Sequence, residues 1–195
     1  MQPILIENNH YLNYQLYHLP VVEAYHQQFL YDSGKVHQRF ISEFGNISST
    51  FSYDSYNVFA LAHGLATYHT LCKNIRFVIK QYMQTDEPLW FRAWLNYHTS
   101  DQLLKWHNHF NCVTHGFVYI EPKDSVTEFR NYSVNNNIGK LYIGPGGKEH
   151  RVVCNTSFST PRITVAFDVY NYANTQEAVR NESADTYAKT SIFPV

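Results

Sequence analysis

The chain has 195 residues, 44% hydrophobic and 16% charged, which is enough for one packed core and does not call for a second domain. Lys and Arg total 15 against 16 Asp and Glu, scattered rather than clustered, and the formal charge of −1 argues against a dedicated nucleic-acid or anionic-membrane surface. Three cysteines (Cys72, Cys112, Cys154) form no CxxC pair and, being odd in number, no disulfide framework. Met1 to Glu7 lacks a basic start and an apolar signal core, and no run approaches membrane-spanning length, so a soluble, intracellular, cytoplasmic protein is expected. The sequons at Asn46, Asn131, Asn155 and Asn181 are read as chance in an Asn-rich chain.

Residues 1–87 read as mainly helical. Pro20 suits a first helical turn followed by Val21, Val22, Tyr25, Phe29 and Leu30. Ser33 is placed to cap a second helix carrying Val36, Phe40, Ile41 and Phe44, with Gly45 to stop it. Leu65 to Met83 shows the clearest helical stripe: Leu65, Tyr68, Leu71, Cys72, Ile75, Val78, Ile79 and Tyr82. Beyond Pro88 the texture becomes β-rich. Strands are expected over Leu89–Tyr97, Val113–Glu121, Val126–Tyr132, Lys140–Ile143, Arg151–Val153 and Arg162–Tyr170, broken by turn formers such as Gly144-Pro145-Gly146-Gly147. Many short strands with few helices among them predict a sandwich or barrel over 88–172, with 173–195 as a C-terminal extension. No linker-like segment separates the halves, so 1–195 reads as a single α+β, mainly β domain whose N-terminal helices buttress an outer sheet.

Three features of the β-rich half carry chemistry. In Trp106-His107-Asn108-His109, a strand would turn His107 and His109 to one face. His150 follows the Gly-rich turn, 43 residues after His107. Arg162 and Thr164 share a face of a further strand, placing a guanidinium fork beside a hydroxyl, a pair suited to a carboxylate. Three ligands on one face suit a metal that needs open positions. His98 and His115 fit no ligand spacing and read as pocket lining or surface. Trp94 and Trp106 read as barrel core, Tyr119 and Tyr142 as core tyrosines that could reach a bound ligand, and Cys112 as a small packing residue. The Gly144–Gly147 turn lacks the Lys-Ser/Thr that a P-loop requires.

In this combination the sequence resembles the iron(II)- and 2-oxoglutarate-dependent oxygenases of the double-stranded β-helix fold, a jelly-roll, cupin-like barrel. The resemblance runs from about Glu43 to Tyr170. It rests on Trp94-Leu95-Asn96, His107-x-His109, Gly116-Phe117-Val118-Tyr119, Gly139 to Pro145 leading to His150, and Arg162-Ile163-Thr164-Val165-Ala166-Phe167-Asp168. It implies Fe(II) on His107, His109 and His150, with 2-oxoglutarate as cosubstrate held by Arg162 and Thr164, and Tyr119 within reach of it. It also implies hydroxylation of a C–H bond with release of succinate and CO2. The wider superfamily's usual His-x-Asp/Glu pair is His-x-His here. Either the three histidines form the metal face, or His109 is the proximal histidine with Asn111 in the carboxylate's place, or two histidines bind and water completes the site. Two alternatives stand beside the main reading: a three-histidine cupin-type dioxygenase without 2-oxoglutarate, and a non-catalytic jelly-roll binding protein. The substrate is expected to be a small molecule or a protein side chain.

Overall fold

The computed structural model describes residues 1–45, 56–99, 104–173 and 192–195. The sequons at Asn46 and Asn181, and most of the 173–195 extension, lie outside the described residues. Asn131 and Asn155 are exposed. In chain order the elements are β1 (Ile4–Asn9), β2 (Tyr14–His18), α1 (Pro20–Ala24), α2 (His26–Phe44), α3 (Val58–Leu61) and α4 (Ala66–Met83). There follow β3 (Trp90–His98), β4 (Thr114–Glu121), β5 (Ser125–Phe129), β6 (Ser133–Asn135), β7 (Lys140–Pro145), β8 (His150–Cys154), β9 (Arg162–Tyr170) and β10 (Phe193–Pro194). A seven-stranded sheet has the order β1-β2-β7-β4-β9-β3-β10, and a three-stranded sheet the order β6-β5-β8. Every pairing is antiparallel. This is the two-sheet architecture of the double-stranded β-helix, mostly β with few helices. The two sheets are not joined into a closed barrel among the described residues; an isolated bridge between His107 and His150 touches the small sheet at its β8 edge.

The helices cover one face of the large sheet. All nine residues of β9 are buried, because its two faces serve two different neighbours. Ile163, Val165, Phe167 and Val169 alternate with Arg162, Thr164, Ala166 and Asp168, as strand pleating demands. α2 and α3 pack on β3 and β4, and α4 packs on α2. The α4 stripe is as its spacing predicts: Tyr68, Leu71, Ile75, Val78 and Ile79 are buried, and the helix ends on Gln84 in the left-handed region. Pro20 opens α1, and Gly45, at φ 81, closes α2.

Two expectations are corrected. Ser33 caps nothing, since α2 runs unbroken through it. Its hydroxyl is buried and lies 2.8 Å from the Tyr68 hydroxyl on α4, so it no longer competes for its own backbone. The N-terminal segment is also not all helical. Residues 4–18 form a hairpin whose β2 pairs with β7, with Tyr14, Leu16 and Tyr17 buried, and so extends the large sheet. No described helix is long and apolar enough to cross a membrane.

Candidate active site

The inner face of the large sheet is a grid set by strand register. On β3, Arg92, Trp94, Asn96 and His98 lie directly opposite Asp168, Ala166, Thr164 and Arg162 of β9. On the other side of β9, His115, Phe117 and Tyr119 of β4 lie opposite Asp168, Ala166 and Thr164. The small sheet closes over this face with Thr127 of β5 and with His150 and Val152 of β8. The Tyr119 hydroxyl ties the two sheets through Thr127 Oγ1 at 2.7 Å. Between them is a cavity of about 120 Å³, with His107, His109, His115 and His150 on its wall, and also Arg162 and Thr164.

His107, His109 and His150 offer ligand nitrogens that lie within 4.8 Å of one another. The segment carrying His107 and His109 is not a regular strand, contrary to expectation. His107 exchanges two backbone hydrogen bonds with His150, of 3.0 and 2.8 Å, and His109 N–H then turns to the Gly146 carbonyl at 3.1 Å. That switch of partner ends the ladder after one bridge, yet still leaves both rings beside His150, at centroid distances of 4.3 and 5.4 Å. Asn111 is exposed in the following turn and does not join the cluster.

Backbone carbonyls settle the tautomers. His107 Nδ1 lies 2.7 Å from the Lys105 carbonyl, and His150 Nδ1 lies 3.1 Å from the Lys148 carbonyl. A carbonyl only accepts, so each Nδ1 carries the proton and each Nε2 keeps its lone pair. His109 Nδ1 lies 2.9 Å from the Asp168 carboxylate. Burial pushes His150 down to about 3 and lowers His107, so these rings stay neutral, as a metal ligand must be. For Asp168, burial alone would raise the carboxyl, but His109 and then Arg92 hold it below the usual carboxylate value. Imidazole donors, of which His107 and His150 are neutral rings with an Nε2 lone pair, fit a divalent first-row ion such as iron(II).

The far end of the cavity is cationic. Arg162 is 2% exposed, and Nη2 donates to His98 Nδ1 at 2.6 Å. Burial first, and then the Arg162 charge, depresses His98 to about 3, so it remains a neutral acceptor. Among the described residues no carboxylate pairs with Arg162. Beside it, the Thr164 hydroxyl accepts from Asn96 Nδ2 at 3.0 Å.

Other residues fall as follows. His98 and His115 line or border the site, and His115 does so as a fourth imidazole. Its ring lies 4.9 Å from those of both His109 and His150, with Nδ1 on the Pro145 carbonyl and Nε2 buried without a hydrogen-bond partner among the described residues. Burial drives it well below the ordinary histidine value. Trp94 packs against His109 on the cavity wall, at 5.7 Å. Trp106 is not core: it is half-buried between the Arg130 and Arg151 guanidinium groups, 4.0 and 4.9 Å from its ring. Cys112 packs, donating to the His109 carbonyl, and burial raises its thiol. Residues 144–147 form the β7–β8 connection. His115 lies on the cavity wall, as its pocket-lining reading allows, whereas the sequence reading assigned Asp168 no role although a signal for both positions existed. Extending the alternation from Arg162 and Thr164 reaches Ala166 and Asp168, and counting back from Tyr119 and Phe117 reaches His115.

No protein-family model matches the sequence, and neither does any curated protein. Solved structures do match. A non-heme alpha-ketoglutarate-dependent carbocyclase, SnoK from nogalamycin biosynthesis, aligns at TM-score 0.57 and 10% identity, over 82% of this chain and 80% of its own. The alpha-ketoglutarate-dependent epimerase SnoN of the same biosynthesis aligns at 0.53 and 12% identity, over 82% and 78%. The likeness is one of fold. An oxidoreductase of the 2OG-Fe(II) oxygenase family from Burkholderia pseudomallei aligns at only 0.42 and 12% identity, over 54% of this chain and 59% of that one, so the chain spans about three fifths of its length.

Proposed function

We propose that the chain, read as one soluble, intracellular domain, is an iron(II)- and 2-oxoglutarate-dependent oxygenase. It would hydroxylate a C–H bond of a small molecule or a protein side chain while 2-oxoglutarate and O2 become succinate and CO2. One observation carries the reading. Arg162 is a buried cation with no acidic partner among the described residues, in the same cavity as three convergent imidazoles. An unpaired buried charge is costly, and a ligand that brings both a metal-chelating end and a remote carboxylate satisfies it. The two alpha-ketoglutarate-dependent neighbours share the fold and support the same reading.

His107, His109 and His150 would hold the iron(II), which would supply the oxygen chemistry. The chain's own residues do the rest. Arg162 offers a planar fork to the remote carboxylate, Asn96 holds the Thr164 hydroxyl in place beside it, and Trp94, Phe117, Ala166 and Val152 supply apolar stretches of the cavity wall. A second reading is favoured by His115. Four imidazoles without a carboxylate ligand suit a cupin-type dioxygenase that oxidises its substrate directly, with Arg162 binding a carboxylate of that substrate.

Calorimetry with Mn(II) in place of iron separates the two. Wild type is expected to bind 2-oxoglutarate. A charge-assisted fork is worth about 1.5–3 kcal/mol, so Arg162→Lys should weaken binding by roughly tenfold or more, and Arg162→Ala further. Mn(II) affinity should be unchanged, because Arg162 is not a ligand. Metal binding without 2-oxoglutarate binding by wild type selects the direct dioxygenase, and binding of neither leaves a non-catalytic jelly roll.

A further inference from the structure

The metal face lacks the carboxylate that a His-x-Asp/Glu pair would provide, yet one buried carboxylate lies directly behind it. Asp168 side chain is 4% exposed, and its Oδ1 is 2.9 Å from His109 Nδ1. The other two rings of the face turn Nδ1 to neutral backbone carbonyls, those of Lys105 and Lys148, so among the described residues only His109 of the three has a charged partner. The other carboxylate oxygen, Oδ2, sits 3.6 Å from Arg92 Nη2 and 3.4 Å from the Tyr170 hydroxyl, and Arg92 Nη2 donates to that hydroxyl at 2.7 Å. Register makes the arrangement rigid: Asp168 stands opposite Arg92 on β3 and opposite His115 on β4, in the middle of the large sheet.

We propose that Asp168 is the carboxylate of this metal centre at one remove, a positioning residue that acts through the His109 imidazole, with Arg92 as the cation that moderates it. This rests on the reading that His107, His109 and His150 hold a divalent metal. A carboxylate 2.9 Å from Nδ1 biases the ring orientation and, through its charge, pushes electron density towards Nε2, which makes His109 a stronger donor than its two neighbours. It also supplies the negative charge that three neutral imidazoles lack, and so favours the higher oxidation state of a bound ion. Arg92 pulls the other way. The two residues therefore oppose each other at the metal, although they support each other in the fold.

That opposition gives the test. Anaerobic Fe(II) affinity and the Fe(III)/Fe(II) midpoint potential are measured on the full chain as wild type, Asp168→Asn and Arg92→Met, with His150→Ala as the ligand control. Asp168→Asn should bind Fe(II) about 10–100-fold more weakly, the range seen when such outer partners are lost, and its midpoint should rise. Arg92→Met should bind as tightly as wild type or more so, and its midpoint should fall. A purely structural pair would weaken binding in both variants and move the midpoint the same way in both, which overturns the proposal. So does Asp168→Asn with wild-type affinity and midpoint, a result that leaves the three-histidine site standing. Absence of Fe(II) binding by wild type, or no loss in His150→Ala, removes the site and the proposal together. If Asp168→Asn does not fold, Arg92→Met still decides, because a midpoint that does not fall refutes the charge argument.

Discussion

Gly146 is where the loop that carries His109 crosses the β7–β8 turn. A Cβ there would stand 2.3 Å from the Cys112 carbonyl oxygen and 2.8 Å from that of His109, both backbone atoms with no flexible end to swing aside. Gly146→Ala should therefore push the His109 loop outward, an overpacking cost of about 1–3 kcal/mol. The expected result is a lower melting temperature with metal affinity reduced by about tenfold. Gly147→Ala is the control, since nothing lies within 4 Å of its Cβ position, and it should behave as wild type. If Gly146→Ala bound metal as tightly as wild type, His109 would not be a ligand that depends on this crossing. The same logic ranks the two registers. His109→Ala should weaken Fe(II) binding sharply, and Asn111→Ala, altering an exposed turn residue, should change it little; the reverse order in metal titrations would favour the Asn111 register.

At the scale of elements, α2 and α4 are joined by a buried hydroxyl pair, Ser33 and Tyr68, the latter 1% exposed. Tyr68→Phe keeps the ring but strands the Ser33 hydroxyl, and an unsatisfied buried donor costs about 1–3 kcal/mol. Chemical denaturation should show that loss, while Ser33→Ala with Tyr68→Phe should recover part of it; equal stability of Tyr68→Phe and wild type would show the pair to be idle. The same pair explains a misread boundary. Ser33-Gly34 looks like a break in sequence because the partner that satisfies Ser33 lies 35 residues away. α4 was legible because its stripe is local, and so were β4 and β9, whose β-branched and aromatic residues need no partner to be seen. The N-terminal hairpin was not. Ile4, Leu5 and Ile6 of β1 remain about half exposed at the sheet edge, and β2 joins the rest of the sheet through Lys140 to Ile143, far away in sequence. The site divides in the same way. His107, His109, His150, Arg162 and Thr164 were legible from order and spacing. Strand alternation reaches His115 and Asp168 but assigns neither a role, because what brings them and His98 together is β9 lying between β3 and β4, an adjacency of distant segments.

Taken as a whole, the molecule keeps an unusual number of imidazoles in its interior, and this sets how it must respond to acid. Burial first, then neighbouring charge, pushes His98 and His150 down to about 3, puts His115 well below the ordinary histidine value and lowers His107. In the unfolded chain each would titrate near about 6.5. Above that value both states are neutral and the full stability is present. Below it the unfolded chain takes up protons that the buried rings refuse, so stability rises with pH and is lost as pH falls from about 6.5 towards the folded values. At about pH 5 the gap is roughly 1.5 units, so His98 and His150 each cost on the order of 2 kcal/mol. Metal acts in the same direction, because it binds only the neutral rings and stabilises the folded state by mass action. The expected outcome in urea titrations is a metal-free protein several kcal/mol less stable at about pH 5 than at about pH 8. Added Mn(II) should then raise the midpoint strongly at the higher pH and far less at the lower one, where protons compete for the same nitrogens. A stability flat across this range would mean that the buried rings take up protons in the folded state, and the account of His98, His107, His115 and His150 as neutral rings would fall with it.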